Sequence, residues 1–551
     1  MILGVNAPPT GWHDAAACLV EHDGTLLAFC EEERLSRAKH AERSGPRLAV
    51  HYCLQQAGAE FGDVDLVVTG WQMPQAARLY GHEWTLEGTP DWLGEQLGWP
   101  CTAQDMPEVR SVGHHLAHAT LAFCASDFDR AAVLVVDGNG DDESISIYRA
   151  GRDRGLVRMR VWPRSHSLGY MYDAACRFAG FGPLEAGKLM GLSAYGRANE
   201  AEPWDLLPDA QPRAPTGIDE GDGFNRYIHA WTAELDRLAG GRRPARGRRE
   251  LQLDELAVQV AVSAQEAVER TVVRLAALAR ELAGTDNLCL AGGVALNCKA
   301  NGLLSGPVFA PPAPHDAGTA LGAAWHVAPP RGAAAARISA FLGPAPGAGA
   351  GNGELDGLHR ESLSLERVCE ALSAGRCGAL VQGAGEIGPR ALGHRSIVAD
   401  PSDPDMHRRL NDLKGRERWR PFGAAALSTR AEALWEPRPR LSDYMLAGTP
   451  VSDAAREQLP SAVHIDGTTR PQELDPASGD LLAGLLAEWG DRAGGALINT
   501  SFNGPGEPIV SSRGDAIASF RRLGLDFLVI DDEVIAGDAA WWRPARAHSA
   551  P

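Results

Sequence analysis

The chain has 551 residues, enough for two or three domains with large apolar cores. Its 44% apolar and 23% charged residues are typical of globular proteins in water. A formal net charge of −18 disfavours a polyanionic partner, so we expect no nucleic-acid partner.

The start of the chain and the cysteines bear on the compartment. The first residues, MILGVNAPPTGWHD, have neither the basic region nor the apolar core of a signal peptide. No apolar run approaches the length of a membrane-spanning helix. The ten cysteines are scattered without a C-x-x-C pair, which is typical of reduced thiols. We therefore expect a cytoplasmic protein without a membrane partner.

The first part of the chain repeats one order of elements. MILGVN predicts a strand, and AAACLVEHDGTLLAFCEEE predicts two strands joined by a hairpin turn at His22–Gly24. The helix GPRLAVHYCLQQAG and the strand DLVVTG follow. The same order begins again in AAVLVVDGNG, SISIYRA, LVRMRVW and the helix SLGYMYDAACRFAG. Two such halves predict an α/β fold of the duplicated ATPase type shared by actin, sugar kinases and heat-shock chaperones, which binds nucleotide between its halves.

Two histidines and an aspartate indicate a metal site. His114 and His118 lie four residues apart in HHLAHATLAFCA, so a helix would place both imidazoles on one face. The buried strand AAVLVVD then ends at Asp137. Two imidazoles and a carboxylate form a three-ligand set, with Asp316 as a candidate fourth ligand much later in the chain. The alternative is a helix face with two hydrogen-bonded histidines.

Two segments of the first half have no clear pattern. Residues 198–254, rich in Pro, Gly, Asp and Arg, indicate a solvated excursion or a mobile lid. Residues 71–110 are typical either of a small core under a long insertion or of an aromatic wall for an organic acceptor. They contain Trp71, Trp84, Trp92 and Trp99.

The rest of the first half predicts regular elements and then a linker. A long helix begins at DELAVQ, and NLCLAGGVALN and TALGAAWHVA predict a strand and a helix. The apolar stripe of the long helix consists of Leu256, Val260, Val268, Val272 and Leu275. Residues 329–357 are the clearest linker. We place the domains at 1–337 and 358–551, joined by 338–357.

Glycine pairs at strand ends indicate where a nucleotide approaches the backbone. Asp137-Gly138 and Gly292-Gly293 both follow apolar strands. In EAGKLMGLSAYG, Glu185 suits ribose hydroxyls and Lys188 suits a phosphate. The alternative for these two is an exposed helix with an i,i+3 ion pair.

The second half carries cations within turns. They stand among Gly, Pro and aromatic residues in GEIGPRALGHRS, NDLKGRERWRPF, HIDGTTRPQ and NTSFNGPGEPIV. Arginine forks and lysine ammonium groups suit phosphate oxygens, and hydroxyl and amide groups after the strand GGALIN add donors. The candidate residues are Arg390, Arg395, Lys414, Arg420, Arg470, Asn499, Thr500 and Ser501.

Eight blocks, in order along nearly the whole chain, resemble the NodU/CmcH O-carbamoyltransferases. They are HDAAACLVEHDG with EEERLSRAKH, GHHLAHA, VDGNGD, EAGKLMGLSAYG, LAGGVALNCKANG, GPRALGHRS, KGRERWRPF and INTSFNGPGEPIV. That family includes antibiotic-tailoring enzymes such as tobramycin carbamoyltransferase. The resemblance implies an N-terminal actin-like (ASKHA) domain similar to the tRNA threonylcarbamoyl transferase. It also implies a C-terminal α/β domain like the YrdC threonylcarbamoyl-adenylate synthases.

The resemblance also implies the reaction. A carbamoyl group passes from carbamoyl phosphate to a hydroxyl through carbamoyl adenylate, in an ATP-dependent reaction. The expected acceptor is a hydroxyl-bearing secondary metabolite, such as an antibiotic, a macrolide or a sugar moiety. Fe²⁺ is the expected metal, Mn²⁺ and Zn²⁺ suit the same ligands, and Mg²⁺ accompanies ATP. A homodimer is compatible with these expectations.

The resemblance also implies which residues form the sites, through the positions that match the motifs of the family. The implied metal ligands are His114, His118, Asp137 and Asp316. The implied adenylate-binding residues are Gly138, Glu185, Lys188, Gly292, Gly293, Val294 and Asn297. The implied carbamoyl phosphate and ATP site contains Arg390, Lys414, Arg420, Arg470 and Ser501, to which we add Arg395 and Asn499.

A general base should take the proton of the acceptor hydroxyl. His13, beside Asp14, is the candidate, with a neutral imidazole near pH 7. The pseudo-twofold relation of the halves should set His13 across the cleft from Asp137. Lys39 and His40 are candidates to hold the carbamoyl oxygen or the acceptor.

Two other functions compete with this interpretation. A tRNA threonylcarbamoyl-type modification enzyme would use similar domains, but the acidic balance argues against tRNA. An ATP-gated binding module would leave the cationic second half unexplained.

Overall fold

The computed structural model shows two compact units, Met1–Leu342 and Gly343–Pro551. The boundary lies inside the range predicted as a linker. The structure describes residues 1–7, 13–73, 89–98, 106–218, 224–331, 338–347, 355–438 and 440–543, with the backbone alone at 89–92. Within these ranges no helix is both long enough and apolar enough to cross a membrane.

The first half of unit one forms a five-stranded sheet. Its strands are β1 (Ile2–Asn6), β2 (Ala16–Val20), β3 (Leu26–Glu31), β4 (Leu66–Thr69) and β5 (Glu108–Ser111). Their order is β3-β2-β1-β4-β5. β1, β2 and β3 pair antiparallel as a meander, whereas β4 and β5 are added in parallel. The predicted hairpin therefore joins β2 and β3.

The second half of unit one repeats this sheet. Its strands are β6 (Arg130–Gly140), β7 (Glu143–Gly151), β8 (Gly155–Pro163), β9 (Leu288–Ala291) and β10 (Val308–Phe309). The order is β8-β7-β6-β9-β10, again a three-stranded antiparallel meander extended by two parallel strands. The repeated topology confirms the predicted duplicated, actin-like α/β fold.

Helices cover both sheets. The described helices of unit one are α1 (Glu32–Ser36), α2 (Arg47–Ala57), α3 (Thr89–Leu97), α4 (His114–Cys124), α5 (Leu168–Phe178), α6 (Ala186–Ser193), α7 (Phe224–Leu238), α8 (Glu255–Ala283), α9 (Cys298–Gly302) and α10 (Thr319–Val327). α4 follows β5 and α10 follows β10, so the two are equivalent in the repeat. The two helices cross so closely that a Cβ atom on Gly322 of α10 would lie 2.0 Å from the Ala117 carbonyl oxygen of α4.

Part of the segment predicted as a solvated excursion is folded core. Helix α7 lies within residues 198–254 and buries Tyr227, Ile228 and Trp231. Arg213 forms an ion pair with Glu234 of this helix at 2.6 Å. The low-complexity composition concealed the amphipathic pattern of α7, whose polar face remains in solvent.

Helix α8 agrees with its prediction. Asp254 caps it by accepting a hydrogen bond from the Ala257 N–H at 2.9 Å. The predicted apolar stripe is buried throughout. It consists of Leu256, Val260, Val268, Val272 and Leu275.

Unit two is built on a mixed eight-stranded sheet. The described strands of unit two are β11 (His359–Ser362), β12 (Cys377–Val381), β13 (Arg395–Ala399), β14 (Gly423–Leu427), β15 (Thr449–Pro450), β16 (Thr468–Thr469), β17 (Gln472–Leu474), β18 (Ala496–Ser501), β19 (Phe527–Ile530) and β20 (Glu533–Ala536). The large sheet has the order β11-β20-β19-β12-β13-β18-β14-β17, and β15 pairs with β16.

Both faces of this sheet carry an apolar core. The described helices of unit two are α11 (Leu365–Ser373), α12 (Met406–Leu413), α13 (Ser428–Leu434), α14 (Asp453–Gln458), α15 (Leu481–Trp489) and α16 (Arg513–Leu523). Neighbouring strand residues alternate between the two cores, with Ile397 in one and Val398 in the other. Unit two is therefore an α/β unit, as predicted, and the structure places helices on both faces of its sheet.

Candidate metal and carbamoyl-transfer site

Four buried side chains converge in unit one, and we call them the His–Asp cluster. They are His114 and His118 of α4, Asp137 of β6, and Asp316 in the turn before α10. Their donor atoms all lie within 4.8 Å of one another. His114 Nε2 is 3.4 Å from Asp137 Oδ2 and 3.5 Å from Asp316 Oδ1. His118 Nε2 is 3.6 Å from both carboxylates and 3.1 Å from His114 Nε2.

The imidazole of His114 is oriented from outside the cluster. Its Nδ1 lies 3.0 Å from the Gly70 carbonyl oxygen, which accepts a hydrogen bond and so requires the hydrogen on Nδ1. With a hydrogen fixed on Nδ1, Nε2 faces the cluster and can bind an ion once its own proton has left. This is the arrangement in which histidines bind metals, with the second ring nitrogen fixed by an oxygen.

Asp137 divides its two oxygens between the backbone and the cluster. Oδ1 accepts the N–H groups of Gly138 at 2.8 Å and Gly293 at 3.0 Å, which leaves Oδ2 facing the imidazoles. Gly292 makes this approach of the two strand ends feasible. It has φ of 88°, and a Cβ atom there would lie 2.3 Å from the Val136 carbonyl oxygen. The predicted glycine pairs therefore meet at one carboxylate of the His–Asp cluster.

The cluster is electrostatically suited to a cation. Burial alone would raise the pKa of Asp137, but hydrogen bonds from His114 and His118 hold it well below its usual range. The pKa of Asp316 falls to about 2, since the histidines outweigh burial and repulsion from Asp137. Burial opposes protonation of His114, yet the two carboxylates raise its pKa to about 10. Two anionic carboxylates beside two nitrogen donors attract a divalent ion.

The turn that carries the predicted base is held by hydrogen bonds. His13 Nδ1 is 3.0 Å from Asp14 Oδ2, and His40 Nδ1 is 3.1 Å from Asp14 Oδ1. Burial alone would lower the pKa of His13, but Asp14, with contributions from Asp316 and Asp137, raises it. The charges of Asp137 and Asp316 therefore reach His13. In the metal-free protein these carboxylates favour the imidazolium over the neutral form that a base requires.

Lys39 and His40 have different surroundings. His40 is partly buried, and its backbone N–H donates to Glu33 at 2.6 Å while its ring faces Asp14. Lys39 lies on the exposed side of the same short turn. The structure thus places His40 in the carboxylate network of the His13 turn and Lys39 at its surface.

His315 and Glu31 extend the carboxylate network of the His13 turn, and neither was predicted. His315 Nε2 lies 3.4 Å from Glu31, which also pairs with Arg34 at 2.9 Å. Burial would lower the pKa of His315, but Asp14 and Glu31 raise it to about 9. The available signals were the acidic run EEE at the end of β3 and the His-Asp pair that contains Asp316.

One tryptophan of the Trp-rich segment belongs to the wall of the cluster. Trp71 is 2% exposed and stacks on His114, with ring centroids 3.9 Å apart. Its indole N–H donates to Asn6 Oδ1 at 2.9 Å. An aromatic wall for an acceptor is wrong for Trp71, because the ring is buried against His114. Trp84, Trp99 and the side chain of Trp92 lie outside the described residues.

The other predicted adenylate residues are close to internal partners. Glu185 and Lys188 form the i,i+3 ion pair at 2.7 Å, and Glu185 also pairs with Arg248 at 3.1 Å. Asn297 exchanges hydrogen bonds with Gln265 at 2.9 and 3.1 Å. Val294 lies partly exposed in the turn after Gly293. Of the predicted glycines, Gly138 and Gly293 are partly exposed, whereas Gly292 is buried.

Unit two brings three arginines together, and we call them the arginine trio: Arg416, Arg420 and Arg470. Burial and the charges of Arg420 and Arg470 hold the pKa of Arg416 well below its ordinary value. The Arg416 guanidinium lies over the Phe422 ring at 4.2 Å. Arg416 was not predicted, although it stands in KGRERWRPF between two predicted cations. Repelling guanidinium groups gathered in one place suit a polyanion such as a nucleotide.

Three predicted phosphate-binding groups have structural contacts instead. Lys414 Nζ donates to the Ser501 carbonyl oxygen and, at 3.1 Å, to both the backbone and side-chain oxygens of Asn503. Ser501 Oγ donates to Asn503 Oδ1 at 2.7 Å. Asn499 is fully buried, and its Nδ2 donates to Gln472 at 2.6 Å and to the Ala391 carbonyl oxygen at 3.1 Å. The contacts of Lys414 and Ser501 shape the turn after β18, and those of Asn499 tie the strand to Gln472 and Ala391.

Arg395 departs from its prediction. It is 1% exposed, and its two Nη atoms donate four hydrogen bonds of 2.7–2.9 Å to backbone carbonyls. Because these bonds use every Nη hydrogen, Arg395 braces the loop rather than offering a fork to phosphate. Arg390 lies partly exposed in that loop, which Glu386 shapes by accepting the N–H groups of Leu392 and His394 at 2.7 and 2.9 Å.

Family models match both units. The model described as carbamoyltransferase N-terminus matches residues 1–80 and 79–325, and that described as carbamoyltransferase C-terminus matches residues 369–536. The chain belongs to the carbamoyltransferase family. This carbamoyltransferase is therefore an enzyme, and the resemblance seen in its sequence blocks is confirmed.

Named relatives extend over most of the carbamoyltransferase. Nodulation protein NolNO of Sinorhizobium fredii is 33% identical over 96% of this chain and 80% of its own length. Nodulation protein NolO of Bradyrhizobium diazoefficiens is 33% identical over 76% of this chain and 78% of its own. Nodulation protein U of Sinorhizobium fredii is 29% identical over 89% of this chain and 92% of its own.

Solved structures are similar at a lower level. The activator of the 2-hydroxyisocaproyl-CoA dehydratase from Clostridium difficile is 11% identical, covers 59% of this chain and 93% of its own, and has a TM-score of 0.35. Full-length HypF, in a phosphate- and nucleotide-bound form, is 14% identical over 60% of this chain and 56% of its own, with a TM-score of 0.32. Similarity at this level carries no information on the reaction.

Proposed function

We propose that this carbamoyltransferase uses ATP and carbamoyl phosphate to carbamoylate a hydroxyl of a small secondary metabolite, through carbamoyl adenylate. The observation that carries the proposal is the His–Asp cluster, whose four donors lie within 4.8 Å of one another beside the glycine backbone of 138 and 292–293. The arginine trio of unit two supports a second, polyanion-binding site. Free, buried cysteines throughout the described part of the chain favour the cytoplasm as its location.

The donor set fits a divalent transition metal. Two imidazole nitrogens and two carboxylate oxygens suit Fe²⁺, Mn²⁺ or Zn²⁺, and we propose Fe²⁺ first. His114 and His118 would supply nitrogen, and Asp137 and Asp316 would supply oxygen. When bound, such an ion stabilises negative charge that develops on a carbonyl or phosphate oxygen.

In unit two, the proposed first reaction joins the carbamoyl group to AMP. A carbamoyl oxygen bonds to the α-phosphorus of ATP, and pyrophosphate leaves as the phosphorus–oxygen bond breaks. The attacking oxygen belongs to carbamate, which water releases together with inorganic phosphate by cleaving the phosphorus–oxygen bond of carbamoyl phosphate. Arg420 and Arg470 would hold the anionic oxygens, with Mg²⁺ accompanying ATP. Arg416, whose guanidinium lies over the Phe422 ring, would add a third positive charge beside Arg420 and Arg470.

In unit one, the proposed second reaction transfers the carbamoyl group. The acceptor oxygen attacks the carbonyl carbon, and the bond from that carbon to the oxygen of AMP breaks. His13 would take the hydroxyl proton at Nε2, because its Nδ1 faces Asp14. Asp14 would stabilise the imidazolium that forms. The Gly138 and Gly293 backbone would lie against the adenylate.

Two measurements on the same sample test this proposal. Pyrophosphate release should require both ATP and carbamoyl phosphate. Mass spectrometry across a panel of glycosides, macrolides and aminoglycosides should find a product in which CONH₂ replaces one hydrogen. Pyrophosphate release without any product would keep the first reaction and leave the panel incomplete. The absence of pyrophosphate release would contradict the proposed route.

A further inference from the structure

The segment Gly70–Gln72 contacts His114 of helix α4 at two points and the nearby Asp141 at a third. The Gly70 carbonyl oxygen accepts the hydrogen of His114 Nδ1 at 3.0 Å. The Trp71 ring stacks on the His114 ring, with centroids 3.9 Å apart. The Gln72 N–H donates to Asp141 Oδ1 at 2.9 Å. One short segment thus touches both the ring and the surroundings of His114.

Asp141 ties this segment to the first residue of α4. Its second oxygen, Oδ2, accepts the backbone N–H of His114 at 2.9 Å. Gly113, which precedes the helix, has no side chain to cap it. The Asp141 carboxylate therefore takes the place of a capping residue, where a negative charge at a helix start is favourable. It is 7% exposed, so water competes little for these two hydrogen bonds.

We infer that Asp141 is a positioning residue for the metal ligand His114. By holding Gln72 and the start of α4 together, it keeps the Gly70 carbonyl in reach of His114 Nδ1. That hydrogen bond selects the tautomer whose Nε2 lone pair points into the His–Asp cluster. Nothing in the reaction proposed above uses Asp141 directly. The effect of Asp141 on metal binding rests on the proposed metal, whereas its effect on the contacts of His114 with Gly70 and Trp71 does not.

The chain offers a matched control for the test. Asp142 is the next residue, carries the same charge and has an exposed side chain. The affinity for Mn²⁺ is measured from the electron paramagnetic resonance signal of the free ion. Asp141→Ala should weaken binding by roughly 10- to 100-fold, the usual effect of losing a residue that orients a ligand. Asp142→Ala should change it by less than about twofold, as a surface substitution does.

A second readout follows the contact itself without any metal. The protein is labelled with 5-fluorotryptophan, and the ¹⁹F resonance of Trp71 is assigned by its loss in Trp71→Phe. Asp141→Ala should move or broaden this resonance in the metal-free protein, because the Trp71–His114 stack loosens. Asp142→Ala should leave it in place. Asp141→Asn retains one oxygen acceptor and should give an intermediate Mn²⁺ affinity and an intermediate shift.

The outcomes separate this inference from the proposed function. Wild-type Mn²⁺ affinity and an unmoved Trp71 resonance in Asp141→Ala would overturn the positioning role while leaving the metal in place. If Asp141→Ala does not fold, Asp141→Asn decides, and wild-type values in that variant would likewise overturn it. Failure of the wild-type protein to bind Mn²⁺ or Fe²⁺ would overturn the metal proposal and this inference together.

Discussion

The surroundings of a single imidazole determine how His13 can act as a base. Burial alone would lower its pKa, but Asp14 at 3.0 Å, together with Asp316 and Asp137, raises it. A base acts in its neutral form, so carbamoyl transfer should increase as pH rises through this raised pKa and then level off. A divalent ion in the cluster would offset the two aspartates and lower the pKa. The initial rate of transfer across mildly acidic to alkaline pH, with and without added metal, measures this.

Removing the His13 imidazole should affect transfer alone. His13→Ala should lose roughly 10²–10⁴-fold in transfer, the usual effect of losing a general base, with unchanged pyrophosphate release. His22→Ala is the matched control, because His22 is an exposed imidazole of the same half that contacts Asp65 at 3.0 Å. Synthetic carbamoyl adenylate should not rescue His13→Ala. Rescue, or transfer close to normal, would assign His13 a structural role.

A buried carboxyl away from the cluster should make stability depend on pH. Glu32 is 3% exposed and accepts the Ala49 N–H at 2.9 Å, yet burial raises its pKa from 4.5 to about 7. Between these two values the folded state binds more protons than the unfolded state. The free energy of unfolding should therefore decrease as pH rises through that window.

Glu32→Gln tests this assignment, because it keeps an acceptor and removes the ionisation. The variant should lose this part of the pH dependence and be more stable than the wild type above the window, by on the order of 1–3 kcal/mol. Urea unfolding at about pH 5 and about pH 8 measures the difference. Glu42→Gln, at an exposed carboxylate, should behave as the wild type. If the free energy of unfolding of Glu32→Gln changes with pH as much as that of the wild type, the assignment is contradicted.

At the scale of elements, the crossing of α4 and α10 sets the geometry of the cluster. Ala117, between His114 and His118, contacts Gly322 so closely that a Cβ atom on this glycine would lie 2.0 Å from the Ala117 carbonyl oxygen. Gly322→Ala should push the helices apart and destabilise the protein by about 1–3 kcal/mol. Because α4 carries both histidines, metal affinity should fall as well. Thermal unfolding and Mn²⁺ binding measure the two effects.

A second helical glycine provides the control for this crossing. Gly187 of α6 has open space where a Cβ atom would stand, with no neighbouring atom within 4 Å beyond its own stretch of helix. Gly187→Ala should therefore stabilise the protein by about 0.5–1 kcal/mol, since alanine favours the helix. Equal effects of the two substitutions would show that the close contact at Gly322 does not determine stability.

At the scale of the whole molecule, the proposed reactions should separate by unit. Arg420→Ala removes one charged contact to phosphate, worth roughly 1.5–3 kcal/mol, so pyrophosphate release should fall about ten- to hundredfold. Arg418→Ala is the matched control, because Arg418 is exposed and pairs with Asp412 at 2.7 Å. Unchanged release in Arg420→Ala would remove the arginine trio from adenylate formation.

The reciprocal variants lie in the His–Asp cluster. His114→Ala and Asp316→Ala should each lower bound metal and block transfer to the acceptor, while pyrophosphate release continues. Metal content by elemental analysis and product by mass spectrometry measure the two effects. Full metal content in both variants would show that the ion is held elsewhere.

The amino-acid sequence by itself determined the features that depend on short-range spacing. The alternation of strands and helices predicted the duplicated fold, because hydrophobic periodicity is a local property. The four-residue spacing of His114 and His118 predicted a shared face for the same reason. Asp316 is distant in the chain, so spacing left it only a candidate, and the fold brings it into the cluster.

Only the tertiary structure decided which polar groups are free for chemistry. Arg395 and Lys414 were predicted to bind phosphate, but carbonyl oxygens from distant turns occupy their hydrogens. Gly70 and Asp141 gained a role through hydrogen bonds to His114, which lies 44 and 27 residues from them in the chain. A side chain's hydrogen-bonding capacity is fixed by its type, whereas its partners are fixed by packing. Local sequence therefore identified the donors of the site, and the fold selected those that face it.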